Sequence, residues 1–123
     1  MKAKKIGIWM DHHQANLTEF TAETMESKLI TSEHDREQNF SKGENHRHNK
    51  EQREQDEYYK RLGAVIQQYE EVVLFGPTDA KTELLHFLKK NHSIDNITVL
   101  LENADKMTEN QQHAFVRTHF SRH

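Results

Sequence analysis

Two short apolar runs constrain this chain most. Val72-Val73-Leu74-Phe75 and Ile97-Thr98-Val99-Leu100-Leu101 are separated by a helix-length amphipathic stretch. A short continuous apolar run fits a strand covered on both faces. Strand, helix and parallel strand together make a crossover unit, and such units are right-handed. The second half of the chain is therefore read as a sheet with helices on its faces.

The flanking patterns extend this reading. Residues 50–68 have helical spacing, with Tyr58, Leu62, Val65, Ile66 and Tyr69 as the stripe and Asn49 as cap, Gln52 standing three residues on. Gly76-Pro77-Thr78 breaks the first apolar run. Thr78 is set to cap the next helix, with Asp79 in its first turn. That helix has Ala80, Leu84, Phe87 and Leu88 as its stripe, Lys89 and Lys90 in its last turn, and Asn91 as its stop. Thr108-Glu109-Asn110-Gln111 is a capping box opening a last helix, with Ala114, Phe115 and Phe120 facing inward.

The first part reads differently. Ile6, Ile8 and Met10 alternate onto one face of a strand. Ala15 and Leu17 alternate against Asn16, Thr18 and Phe20 in the next, and Asp11-His12-His13 makes the connection. Residues 25–31 are a weaker third strand. Short gaps imply an antiparallel meander. Residues 32–49 hold one apolar residue, Phe40, and no period, so they read as a long polar loop. The order is β-β-β-loop-α-β-α-β-α. That is a ribonuclease H-like α/β domain with a five-stranded mixed sheet, spanning 1–123 as one unit. A ferredoxin-like sandwich does not supply three consecutive leading strands.

Composition excludes several classes. With 123 residues, 33% of them apolar and 30% charged, the core is lean, yet the apolar residues fall in periodic blocks rather than a disordered spread. There is no cysteine, so disulfide scaffolds, thiolate zinc sites and cysteine nucleophiles are out. No apolar run approaches the roughly 20 residues of a membrane span. The basic start gives way at Asp11, too soon for a signal core, so a soluble cytoplasmic protein with no membrane partner is expected. The net charge of −3 argues against a general polyanion binder but leaves room for a local patch.

The block from Val72 to Leu85, with Gly76-Pro77-Thr78-Asp79-Ala80-Lys81 inside it, resembles the strand-Gly-Pro-x-x-x-Lys-helix segment in the middle domain of archaeo-eukaryotic peptide-release factors and Pelota. The opening Ile6-Gly7-Ile8-Trp9-Met10-Asp11-His12, followed by Ala15, is similar to small bacterial proteins described as translational machinery proteins. The resemblance covers most of the chain. It implies a ribonuclease H-like fold and partners among the ribosome, tRNA and translation factors. It also implies one departure. Release factors carry Gly-Gly-Gln on the loop before the long helix, whereas this chain reads Phe40-Ser41-Lys42-Gly43-Glu44-Asn45-His46-Arg47-His48 there. Release activity therefore does not carry over.

The leading expectation is a non-catalytic, translation-associated, RNA-contacting protein with no cofactor. Its binding residues would be Lys42, Gly43, Asn45, His46, Arg47, His48, Lys50 and Arg53, since Lys and Arg give charge-assisted hydrogen bonds to phosphates. The solvated alternative has weight, because residues 42–61 hold six Lys/Arg and five Asp/Glu. His34, Asp35, His46 and His48 lack the helical pairing of a zinc motif, and no metal is assigned. Two other readings stay open. One is a metal-dependent nuclease or hydrolase using Asp11 with Asp79, Glu51 or Asp56, although an Asx turn at Asp11 accounts for that residue equally. The other is a homo-oligomeric scaffold. Gly76 and Pro77 serve the turn rather than a phosphate, with Lys81 over the nearby surface or paired to Asp79 or Glu83. Trp9, Tyr58 and Tyr59 are read as packing, and His113, His119 and His123 as surface titration.

Overall fold

The computed structural model describes residues 4–21, 27–32 and 44–121, with 44–51 described as helix backbone alone. Five strands, β1 (Lys5–Met10), β2 (Gln14–Glu19), β3 (Ser27–Thr31), β4 (Glu71–Gly76) and β5 (Thr98–Asn103), form one sheet in the order β3-β2-β1-β4-β5. The first three strands are antiparallel. β1 runs parallel to β4, and β4 to β5. This is the mixed ribonuclease H-like sheet that the patterns predict.

Among the described residues, three helices complete it: α1 (Glu44–Ile66), α2 (Ala80–Lys90) and α3 (Glu109–Ser121). Pleating divides β1 as expected. Ile6, Ile8 and Met10 enter the larger core with Tyr58, Leu62 and Ile66 of α1 and Leu84 and Leu88 of α2. Trp9 faces the other way and packs with Val73, Phe75, Val116 and Phe120 under α3. Gly7 lies on that same side, and a methyl group there would collide with Val116. A glycine thus lets α3 sit directly on the backbone of β1.

The capping box at α3 forms in full. The Gln111 N–H donates to Thr108 Oγ1 at 3.2 Å, and the Thr108 N–H donates to Gln111 Oε1 at 2.9 Å. Phe120 is buried and Phe115 stacks on Phe75 with ring centroids 4.1 Å apart, as expected, but Ala114 is exposed and Gln112 and Val116 are the other buried residues. Gln112, Val116 and Phe120, spaced i, i+4 and i+8, form the stripe that lies on the sheet, and Ala114 falls off that stripe.

The end of α2 also differs in detail. Asn91 is the C-cap, but the left-handed residue is His92, with φ 57°. The His92 N–H donates to the Lys89 carbonyl and the Ser93 N–H to the Leu88 carbonyl, a complete Schellman motif. β5 departs from the doubly covered strand expected. Thr98, Leu100 and Glu102 are exposed along one face, with Asn103 after them, because α3 lies over β1 and β2 and leaves that face of β5 uncovered.

Among the described residues, no helix is long and apolar enough to cross a membrane.

Candidate functional site

α1 changes the picture of the predicted contact segment. Asn45, His46, Arg47, His48 and Lys50 lie within the helix, and Arg53 is an exposed residue on it. The helix starts at Glu44 rather than near Lys50, so Asn49 is internal and not its cap. Lys42 and Gly43 lie outside the described residues, as do His34, Asp35 and Phe40. The early start of α1 escapes the sequence reading for a physical reason. No apolar residue occurs from Glu44 to Glu57, so no hydrophobic period marks this half. Its Glu, Gln, Arg and Lys residues nevertheless favour helix once Tyr58, Leu62 and Ile66 anchor the far end. Gln52 Nε2 donates to Asp56 Oδ1 at 3.2 Å, one turn apart.

Positions 46, 50 and 53 have the i, i+4, i+7 spacing of one helix face. Glu57, Lys60 and Ala64 continue that spacing and are exposed. Within 42–53 the sequence carries Lys42, Arg47, Lys50 and Arg53 against Glu44 and Glu51, a local positive excess in a chain of net charge −3.

The base of α1 is fixed at the carboxyl end of β1. Asp11 Oδ1 accepts the N–H groups of His13 at 2.8 Å and Gln14 at 2.9 Å, an Asx turn. The Tyr58 hydroxyl donates to the Asp11 carbonyl at 2.8 Å. Burial first, and the nearby Asp11 charge second, push the Tyr58 phenol far above its ordinary pKa. Beside it, His12 Nε2 lies 3.2 Å from Glu83 Oε2, and the Tyr59 hydroxyl donates to Glu83 Oε1 at 2.8 Å. Burial works against the Glu83 charge. The Tyr59 hydroxyl and the His12 imidazole outweigh it and lower the pKa. These contacts tie the β1–β2 turn to α1 and α2. Asp11 spends a carboxylate oxygen on the turn. Among the described residues, no three His, Asp or Glu side chains stand where they would hold a metal.

Lys81 corrects another expectation. It is buried, and its ammonium donates to the carbonyls of Gly76 at 3.1 Å and Thr78 at 2.7 Å, not to Asp79 or Glu83. The lysine therefore closes the β4–α2 turn from within. Thr78 Oγ1 accepts the Ala80 N–H at 3.2 Å, while Asp79 is the N-cap residue without a side-chain capping bond. Gly76 has φ 152°, and a methyl group there would collide with the Met10 carbonyl oxygen. The turn is thus a packing device where β1 and β4 end side by side.

Sequence reasoning missed one further constellation. Ser27 Oγ lies 2.9 Å from His113 Nε2, and Glu109 Oε2 lies 3.7 Å from the same nitrogen. In a nucleophilic triad the acid holds the opposite ring nitrogen. Serine and acid sharing one nitrogen is a part-buried hydrogen-bond cluster, which Thr18 extends inward through its 2.9 Å contact with Ser27. No local spacing announces it, because the partners are 86 residues apart.

No protein-family model matches the sequence, and no curated protein does. Solved structures do share the fold. The Pelota protein of Thermoplasma acidophilum superposes over 93% of this chain with a TM-score of 0.60 and 11% identity. Pelota of Archaeoglobus fulgidus superposes over 96% with a TM-score of 0.63 and 10% identity. The archaeal translation termination factor aRF1 superposes over 97% with a TM-score of 0.53 and 14% identity. This chain covers only 32%, 32% and 39% of those proteins, respectively. At such identities the likeness is one of fold alone, a five-stranded mixed sheet with helices.

Proposed function

We propose that this chain is a non-catalytic, translation-associated module that binds the ribosome, a tRNA or a translation factor through residues 42–53. The observation that carries the reading is the superposition of nearly the whole chain on parts of Pelota and aRF1. The basic excess over 42–53 supports it, since Lys and Arg suit phosphate contacts that position a protein on nucleic acid. The absence of Gly-Gly-Gln from the sequence removes the group that release factors bring to peptidyl-tRNA hydrolysis.

Co-sedimentation with ribosomes at low and high salt tests the proposal. Wild type is expected to pellet at low salt and to be released at high salt. Lys42→Glu combined with Arg47→Glu is expected to remain in the supernatant. Unchanged pelleting of that double variant would sink the assignment of 42–53.

A further inference from the structure

Among the described residues, the outer edge of β5 has no partner in the sheet. Natural edges are guarded by lysine, proline, a bulge or a covering element. β5 reads Thr98-Val99-Leu100-Leu101-Glu102-Asn103, with no lysine and no proline. Its Leu100 is 46% exposed, one of two large apolar side chains that open among the described residues. The opposite edge strand, β3, carries Lys28.

The hydrogen-bond pattern fixes what this edge offers. The Thr98 N–H donates to the Glu70 carbonyl and the Ala104 N–H to the Gly76 carbonyl, both toward β4. Even-numbered residues of β5 therefore point their backbone groups inward. Val99, Leu101 and Asn103 point theirs outward.

We propose that β5 pairs antiparallel with β5 of a second copy of this chain, across a two-fold axis at Leu100. A two-fold pairing has to match outward with outward groups, so the two residue numbers of a pair add to an even sum. Centring on Leu100 sets Val99 opposite Leu101 of the other copy, twice by symmetry, and each pair exchanges two backbone hydrogen bonds. Leu100 meets Leu100, and Thr98 meets Glu102. Every apolar residue opposes an apolar one, and the carboxylate opposes a hydroxyl. Centring one residue later would set Leu100 against Glu102 and Val99 against Asn103. Centring one residue earlier would need Ile97, whose N–H is already donated to the Ile94 carbonyl. In the favoured register the two Glu102 residues lie four positions apart along the strands, about 13 Å, beyond strong repulsion at physiological salt. Val99 and Leu101, half-buried against the main core, gain cover on their open side. Next to Leu100, a depression of about 220 Å³ runs to Phe120 of α3 and gives the facing leucines room. The interface is small, so the association is weak and concentration-dependent.

Two measurements on the full chain test this. Sedimentation equilibrium from about 1 μM to about 1 mM is expected to show the mass rising from 14.6 kDa toward twice that value. Leu100→Lys should hold it at the monomer mass with an unchanged circular dichroism spectrum. The register is read by cysteine pairing, because the chain has no cysteine of its own. Opposed residues whose backbone groups point away from each other lie about 4.5 Å apart at Cα, within disulfide reach. Under mild oxidation Leu100→Cys should form a covalent dimer at least about tenfold faster than Thr98→Cys, whose two copies sit about 13 Å apart. A monomer at every concentration overturns the proposal. Equal crosslinking at 98 and 100 overturns the register, and so does a Leu100→Lys variant that still associates.

Discussion

Tyr58 is the hinge between helix and sheet on which a quantitative test is best placed. Its ring is fully buried, and its hydroxyl donates to the Asp11 carbonyl at 2.8 Å. Tyr58→Phe keeps the ring in place, so water has no room to replace the lost donor. The carbonyl is left unpaired beneath it, and the expected cost is about 1.5 kcal/mol. An unfolding entropy of roughly 2.1 cal/mol/K per residue gives about 0.26 kcal/mol/K for this chain, so the melting temperature should fall by about 6 °C. Tyr59→Phe is the control. It too loses a 2.8 Å hydrogen bond, but to Glu83, whose side chain is 51% exposed. Water rehydrates that carboxylate, and the cost should stay near 0.5 kcal/mol, about 2 °C. Calorimetry and urea titration of both variants measure the difference. Equal losses in the two, or a Tyr58→Phe shift of about 1 °C or less, would refute the argument that a shielded carbonyl governs the cost.

Two further outcomes follow from local geometry. Burial raises the pKa of Tyr58, Tyr59 and Tyr69 above the ordinary 10.0, with Tyr69 pushed up to about 12, helped by its bond to Glu19. A phenol that ionises in the unfolded chain but not in the folded one stabilises fully below pH 10, and that stability is lost as pH rises above it. Denaturant titrations between about pH 9 and 11.5 should show this loss, and Tyr58→Phe should flatten the slope by up to about 1.4 kcal/mol per pH unit. His92→Gly relieves a left-handed residue while keeping the Schellman bonds. It should raise stability by about 1 kcal/mol, read as a higher urea midpoint at unchanged slope.

The parts of the fold that were legible in the sequence are those written in local periodicity. Alternation in β1 places Ile6, Ile8 and Met10 in one core and Trp9 in the other, as the structure has them. The Thr108–Gln111 box is legible because both its partners lie within one turn. β5 shows the limit. An apolar run reads the same whether a sixth strand lies beyond it or not, so nothing local distinguishes an edge from a centre. Lys81 shows another limit. The spacing of Gly76, Pro77 and Lys81 is visible, but that the ammonium turns inward to two carbonyls depends on the path of the loop. The first half of α1 was illegible because helix propensity without an apolar stripe leaves no period to detect.

That last difference alters the mechanism proposed for residues 42–53. A polar loop that orders on its partner would lose about 1–2 kcal/mol of backbone entropy per residue on binding. Residues from Glu44 onward are already helical, so for them this cost falls on folding, and their charges are presented at fixed helical spacing. Asn49→Pro separates the two mechanisms, because it alters no charge yet removes a hydrogen bond in the helix interior, at about 3 kcal/mol. The anchored half from Tyr58 onward keeps its core contacts, so the fold survives and only the first turns are released. With Asn49→Ala as the control for the lost amide, ribosome co-sedimentation of Asn49→Pro should drop toward that of the Lys42→Glu, Arg47→Glu pair. If Asn49→Pro instead pellets like wild type, charge alone suffices, and the helical arrangement of His46, Lys50 and Arg53 has no part in recognition.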